Sequence, residues 1–241
     1  MKRGILVFLL LFMAMPLTSR SVTITDFPQK SQLTPVTQLL TALNNDINPK
    51  ALELAVQGYY NLKRQGLIRR EGIVTLIDFD KPSVSERLYI IDVNNGKILQ
   101  SALVAHGKGS GENVATRFSN KPGSNKSSVG FYLTENTYNG KNGYSLVLKG
   151  LDRGINDKAE SRSIVIHGAG YVSQDYINRH GRLGRSQGCP ALSMESYQQV
   201  IDLIKEGTCL FIYHNGRDYA SRSGVLNPGT AFRSGRLDNP A

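Results

Sequence analysis

Arg87-Leu88-Tyr89-Ile90-Ile91-Asp92-Val93, the turn Asn94-Asn95-Gly96 and the run Lys97 to Val104 decide the fold class of this chain. Two segments rich in β-branched and aromatic residues flank a turn ending in Gly, the signature of a β-hairpin. Before them, Ile73-Val74-Thr75-Leu76-Ile77-Asp78-Phe79 reads as a strand. After them, strands are expected at Gly130 to Thr134, Ser145 to Lys149, Ser163 to His167 and Thr208 to His214. A helix is expected over Met194 to Lys205. Many short strands with few helices predict a mainly β (α+β) domain, a β-sandwich or partly open barrel.

A different period precedes Gly72. Val36, Leu39, Leu40 and Leu43 recur at helical spacing after Thr34 and Pro35. A second helix is expected from Asn48, with Pro49 at its first position, Leu52, Leu54, Ala55, Val56 and Tyr59 on one face, and Gly66 as its stop. The expected organisation is a signal peptide at 1–19, a small N-terminal helical extension at 20–71, the main domain at 72–215, and a polar tail at 216–241, mobile or wrapped on the surface. No internal repeat is visible.

The signal reading rests on Lys2 and Arg3, the short apolar run Ile5 to Met13, and Met15-Pro16-Leu17-Thr18-Ser19. The run is short for a bilayer span, although an uncleaved anchor is the alternative. No Cys follows it, so a lipid-acylation site is absent, and no later stretch is apolar for long enough to cross a membrane. Export to a periplasm or cell envelope is the expectation. The net charge of +10 then suits anionic envelope polymers or lipid headgroups, or simply a soluble surface. Nucleic acid is not an expected partner, because the basic residues are scattered and stacking motifs are missing.

The chain has two cysteines in unlike settings. Cys209 lies in the apolar run Thr208-Cys209-Leu210-Phe211-Ile212-Tyr213, where a free thiol packs as a small hydrophobe. Cys189 lies in Ser186-Gln187-Gly188-Cys189-Pro190, downstream of Ile164-Val165-Ile166-His167-Gly168. A thiol with a nearby base is an acyl-transfer nucleophile, and Gly188 permits positive φ or close backbone approach beside it. Pro190 can open a helix whose dipole would favour thiolate. The alternatives are a Cys189–Cys209 disulfide, an inert thiol, and a strand-end structural role for His167.

Among the other histidines, His106 is either structural or part of a groove wall, His180 belongs to a lid or the surface, and His214 is structural. Arg185 is a carboxylate contact or a solvated loop charge. Gly107-Lys108-Gly109-Ser110-Gly111 lacks the spacing of a phosphate loop. No compact metal-ligand spacing occurs, and no cofactor is expected.

With these residues in view, the chain resembles the L,D-transpeptidase (YkuD-type) family, in the branch of murein L,D-transpeptidase catalytic domain proteins. The resemblance rests on Ile166-His167-Gly168 and on Gly184 to Leu192. It extends to Ala105 to Gly111, Phe118-Ser119-Asn120 and Ser127 to Tyr132. It implies a cysteine acyltransferase acting on peptidoglycan stem peptides. Cys189 would be the nucleophile, His167 the base and the Gly168 carbonyl the third element. N–H groups around Gly188 and Cys189 would form an oxyanion hole, and Ser186 would hold the turn. Arg185, Arg182, His106 and Tyr132 would contact substrate.

The sequence departs from the family pattern at Gln187, where many members carry a second His, and at Ala191, where many carry an Arg. The loop from His167 to Cys189 is also longer than in many members. Rival readings are a sortase-like transpeptidase, an L,D-carboxypeptidase, a papain-like wall peptidase and a non-catalytic wall-binding protein.

Overall fold

The computed structural model describes residues 47–216 and 218–229. The expected signal peptide, the helix expected over 34–43 and the end of the tail lie outside the described residues. The first described helix, α1 (Pro49–Arg64), starts as its sequence dictates. Asn48 Oδ1 accepts the N–H groups of Lys50 and Ala51 at 2.9 and 3.3 Å, and Pro49 occupies the first turn. Lys63 and Arg64 lie in the last turn, where they complement the helix dipole. The chain then leaves the helix through Gly66 at φ +68.

Eight strands follow: β1 (Ile73–Asp78), β2 (Leu88–Asp92), β3 (Lys97–Ala102), β4 (Gly130–Gly140), β5 (Gly143–Gly150), β6 (Val165–Gly168), β7 (Ala191–Leu192) and β8 (Cys209–Tyr213). They form one sheet in the order β3-β2-β1-β8-β4-β5-β6-β7. The β1–β8 and β6–β7 pairs are parallel and the others antiparallel. The sheet curls until its two ends meet. Ala105, just beyond β3, pairs with Ala191 of β7, with N···O distances of 2.8 and 3.3 Å. Of the two expected architectures the barrel is the one formed, and it is nearly closed; there is no second sheet among the described residues.

Side-chain alternation divides the core between the two faces of this sheet. On the inside, Ile77, Leu88, Ile90, Tyr132, Leu146, Ile166, Leu210 and Ile212 pack with α3 (Tyr197–Ile204) through Val200, Ile201 and Ile204. On the outside, Val74, Leu76, Phe131, Leu133, Cys209 and Phe211 pack against Leu52, Ala55, Val56, Tyr59 and Leu62 of α1. β8 is covered on both faces, which is why Cys209-Leu210-Phe211-Ile212-Tyr213 reads as an unbroken apolar run. Gly58 lets α1 come close, since a Cβ there would lie 2.0 Å from Phe131 Cζ.

Several local expectations need correction. Pro190 does not open a helix: it leads into β7, so the helix dipole expected from that start is not there. The loop after His167 carries a short helix, α2 (Gln174–His180), capped by the Ser173 hydroxyl and ended by Gly181 at φ 67. The start of the polar tail is a surface wrap that includes α4 (Tyr219–Arg222). Its Tyr219 and Ser223 hydroxyls donate to buried Asp152 at 2.7 and 2.6 Å, and Asn61 Nδ2 of α1 donates to the Val225 carbonyl at 2.8 Å.

Candidate active site

The site lies where β6 ends and β7 begins. His167 pairs with Ala191 in the parallel ladder, and Cys189 sits two residues before Ala191. Both side chains line one open pocket of about 800 Å³. Its wall also includes Ser163, Gly168, Tyr171, Ser186 and Gln187, and its basic residues are Lys141, Arg162 and Arg185. No carboxylate lines it among the described residues. This is the surroundings of a site for a polar or anionic ligand.

The turn before Cys189 is fixed by hydrogen bonds. Ser186 Oγ donates to the Cys189 carbonyl at 2.6 Å and accepts the Gly188 N–H at 3.0 Å. Ser127 Oγ donates to the Gly188 carbonyl at 3.0 Å and accepts the Gly107 N–H at 3.0 Å. Gly188 has φ +134, and a Cβ there would lie 3.0 Å from the Lys126 carbonyl oxygen. The position therefore requires glycine for its backbone conformation and for the space.

The sulfur of Cys189 is half-buried, and the thiol donates to the Ser163 carbonyl across 3.6 Å. Burial pushes this thiol up; the Val165 N–H, the Arg162 charge and its own N–H pull the other way. Ser163 itself has φ 54, a left-handed conformation uncommon for a non-glycine residue, and it aims its carbonyl at the sulfur. His167 Nδ1 lies 2.9 Å from the Gly168 carbonyl oxygen. That contact assigns the proton to Nδ1 and leaves Nε2 as the acceptor.

Cys189 and Cys209 are both free, and Cys209 is buried in β8 among the side chains facing α1. The disulfide alternative is excluded. No group of three or more potential metal ligands occurs among the described residues.

A family model described as the L,D-transpeptidase catalytic domain matches residues 43–213. The chain belongs to this family. No curated protein matches the sequence. Solved structures similar to it include an L,D-transpeptidase from Mycobacterium smegmatis, 13% identical, with 59% of each chain covered and a TM-score of 0.36. Another is an L,D-transpeptidase from Mycobacterium tuberculosis H37Rv, 15% identical, covering 59% of this chain and 58% of that one, with a TM-score of 0.35. A third, from Stackebrandtia nassauensis, is 13% identical and covers 78% of this chain and 93% of that one, with a TM-score of 0.36. This chain thus spans 59% of the length of the first of them.

Within this L,D-transpeptidase domain, the residues expected from sequence divide into two groups. Cys189, His167, Gly168, Ser186 and Arg185 meet at the pocket. Gly188 shapes the turn, and its N–H donates to Ser186 Oγ at 3.0 Å. Three expected substrate contacts are corrected. Tyr132 is fully buried, and its hydroxyl donates to the Ser128 carbonyl at 3.0 Å. His106 is also fully buried, beside the Arg87 guanidinium at 2.9 Å. Arg182 stays off the pocket wall, pairing with Glu112 at 3.1 Å and donating to the Leu183 carbonyl.

Arg185 remains at the wall, but Glu112 pairs with it at 2.5 Å. His180 is exposed on α2 and stacks on Tyr176. His214 packs on Phe118, and its Nε2 lies 3.6 Å from Asp80 Oδ1.

Sequence reasoning missed Arg162, Ser163, Tyr171 and Lys141. Arg162 and Ser163 lie in a polar loop without periodicity, and Lys141 is at the β4–β5 hairpin tip. Tyr171 packs over Gly184, where a Cβ would lie 2.4 Å from the Tyr171 Cβ. Burial and the neighbouring Cys189 push its phenol up to about 12, so it stays a neutral hydrogen-bonding group at the pocket.

Proposed function

We propose that this protein is an exported cysteine acyltransferase that cross-links peptidoglycan stem peptides. The observation that carries the reading is the meeting of Cys189 and His167 at one open pocket, with His167 Nδ1 held by the Gly168 carbonyl. Membership of the L,D-transpeptidase catalytic domain family supplies the substrate class. The N-terminal sequence supports export, because the polymer lies outside the cytoplasm.

The chemistry follows from the two side chains. His167 Nε2 takes the thiol proton, and the sulfur attacks the carbonyl carbon that follows an L-centre of a tetrapeptide donor. A C–S bond forms, and the carbonyl π-electrons move to oxygen. Collapse breaks the C–N bond to the terminal D-residue, whose amine leaves with the proton from His167. The acyl group is now a thioester on Cys189. An acceptor amine then attacks that carbonyl, giving up a proton to His167. The C–S bond breaks, and the thiolate recovers the proton. Water in place of the amine gives carboxypeptidase activity.

The tetrahedral oxygen needs donors that are not already engaged. The Gly188 N–H is held by Ser186 Oγ, whereas the Cys189 N–H contacts only its own sulfur and can turn to the oxygen once that sulfur is acylated. The basic pocket wall suits the carboxylates of stem peptides.

The test is incubation of the mature protein with defined tetrapeptide muropeptides, followed by mass spectrometry. The expected result is a cross-linked dimer, together with a covalent adduct whose mass equals enzyme plus donor minus the terminal residue. Cys189→Ala should form neither. Normal cross-linking by purified Cys189→Ala would end this reading.

A further inference from the structure

The arginines near the pocket differ in what holds them. Arg182 and Arg185 both pair with Glu112. Arg162 has no carboxylate partner among the described residues, and every hydrogen bond it makes goes to a neutral acceptor. Its Nη1 donates to the Ser119 carbonyl at 2.7 Å and to Ser128 Oγ at 2.6 Å. Its Nη2 donates to the Lys126 carbonyl at 2.6 Å and reaches Ser124 Oγ at 3.5 Å.

This guanidinium is thus a cation of fixed orientation on the wall of the pocket that holds Cys189. A Cβ on Gly188, the residue before the cysteine, would lie 3.4 Å from Arg162 Nη2. Its carbonyl acceptors occupy the segment whose Ser127 hydroxyl holds the Gly188 carbonyl. With its Nη donors used by two carbonyls and two serine hydroxyls, Arg162 is poorly placed to clamp a substrate carboxylate, but its charge remains uncompensated.

We propose that Arg162 is a positioning residue that acts through Cys189, its uncompensated charge stabilising the thiolate that attacks the donor. The inference rests on Cys189 being the nucleophile of the proposed function. The helix start expected at Pro190 is not formed, since Pro190 leads into β7, and the cation at the pocket comes from a different part of the chain. The other groups around the sulfur are His167, Tyr171, the Ser163 carbonyl and the N–H groups of Val165 and Cys189, with Lys141 and Arg185 further along the wall. Of the charged ones, Arg162 is the group whose field acts on the sulfur against burial.

The experiment measures the pH dependence of Cys189 alkylation by iodoacetamide, a neutral reagent, with the modified peptide quantified by mass spectrometry. It needs no substrate. Arg162→Gln keeps hydrogen-bonding capacity and removes the charge; Arg162→Lys keeps the charge and loses the fork. The expected result is a midpoint raised by about 1 pH unit or more in Arg162→Gln, seen as a roughly tenfold slower reaction below the midpoint. Arg162→Lys should stay close to the parent. A purely structural clamp would move both variants alike, because neither side chain reproduces the four bonds of the guanidinium to Ser119, Ser128, Lys126 and Ser124.

Superposed profiles for Arg162→Gln and the parent overturn the proposal, as does an equal shift in both variants. If Arg162→Gln does not fold, Arg162→Met takes its place: a raised midpoint beside an unmoved Arg162→Lys supports the charge role, and a midpoint superposed on the parent's overturns it. Failure of the nucleophile reading shows elsewhere, as cross-linking that survives Cys189→Ala.

Discussion

Ser186 and Cys189 close a small ring: the Ser186 hydroxyl donates to the Cys189 carbonyl at 2.6 Å and receives the Gly188 N–H at 3.0 Å. One oxygen thus sets the path of the backbone on either side of the Cys189 sulfur. Ser186→Ala removes both bonds and frees the Gly188 N–H. The expected outcome is a folded protein whose acyl-transfer rate falls by about 10- to 100-fold, since small misplacements of a nucleophile carry costs of that order. Donor turnover by mass spectrometry, alongside a thermal melt, checks it. Parental turnover would show that Ser127 alone holds the turn.

Gly188→Ala tests the same turn through sterics. The backbone sits at φ +134, and the added methyl would press on the Lys126 carbonyl at 3.0 Å and on Ile164 Cδ1 at 3.1 Å. Left-handed strain of this kind costs about 1–3 kcal/mol. Relief by moving the turn would carry Cys189 away from His167. We expect at least a tenfold loss of turnover with a modest fall in melting temperature. Unchanged turnover would mean that the turn can move without displacing the sulfur.

The hairpin, the apolar strands and α1 were legible in the sequence because each is a local pattern: a turn ending in Gly, a β8 run covered on both faces, and an Asn48-Pro49 cap. His167 and Cys189 were legible because each sits beside a glycine at the edge of a recognisable segment. What sequence could not supply was the closure of the barrel. Ala191 looks like part of a loop until β6 on one side and Ala105 on the other give it partners. That pairing turns an expected helix start at Pro190 into β7.

Arg162 and Tyr171 were illegible for the same reason, since tertiary contacts alone bring them to the pocket of Cys189. Tyr132 and His106 misled for the opposite reason. Polar atoms on residues near a motif suggest contact with ligand, but in this barrel those atoms are satisfied internally, by Ser128 and by Arg87.

Gly58→Ala tests whether α1 is integral to the domain. Alanine is the better helix former by about 1 kcal/mol. Its methyl, however, would sit 2.0 Å from Phe131 Cζ, and the Phe131 ring is stacked on Phe211 with centroids 4.3 Å apart. Overpacking a buried contact costs about 1–3 kcal/mol, so the clash outweighs the propensity gain. The melting temperature should drop by several degrees. A rise in melting temperature would mean that α1 slides freely over the sheet.

His106 supplies a pH dependence whose sign can be worked out. Its ring is buried between the Arg87 guanidinium at Nδ1 and the Gly111 carbonyl at Nε2, with Arg182 and Arg185 as the further charges acting on it. Nδ1 accepts from Arg87, which requires the neutral ring. Burial and then the Arg87 charge lower its pKa from 6.5 to about 4. Between those values the unfolded chain binds a proton that the folded chain refuses, so stability rises with pH across the window and is lost as pH falls through it. The contribution is at most about 3 kcal/mol. His106→Gln offers an amide acceptor and donor without a titrating group. Urea unfolding at pH 7, 6, 5 and 4 should show a steeper loss in the parent than in His106→Gln. Parallel curves would mean that the ring gains its proton without leaving the fold, and that Arg87 rather than His106 gives way in acid.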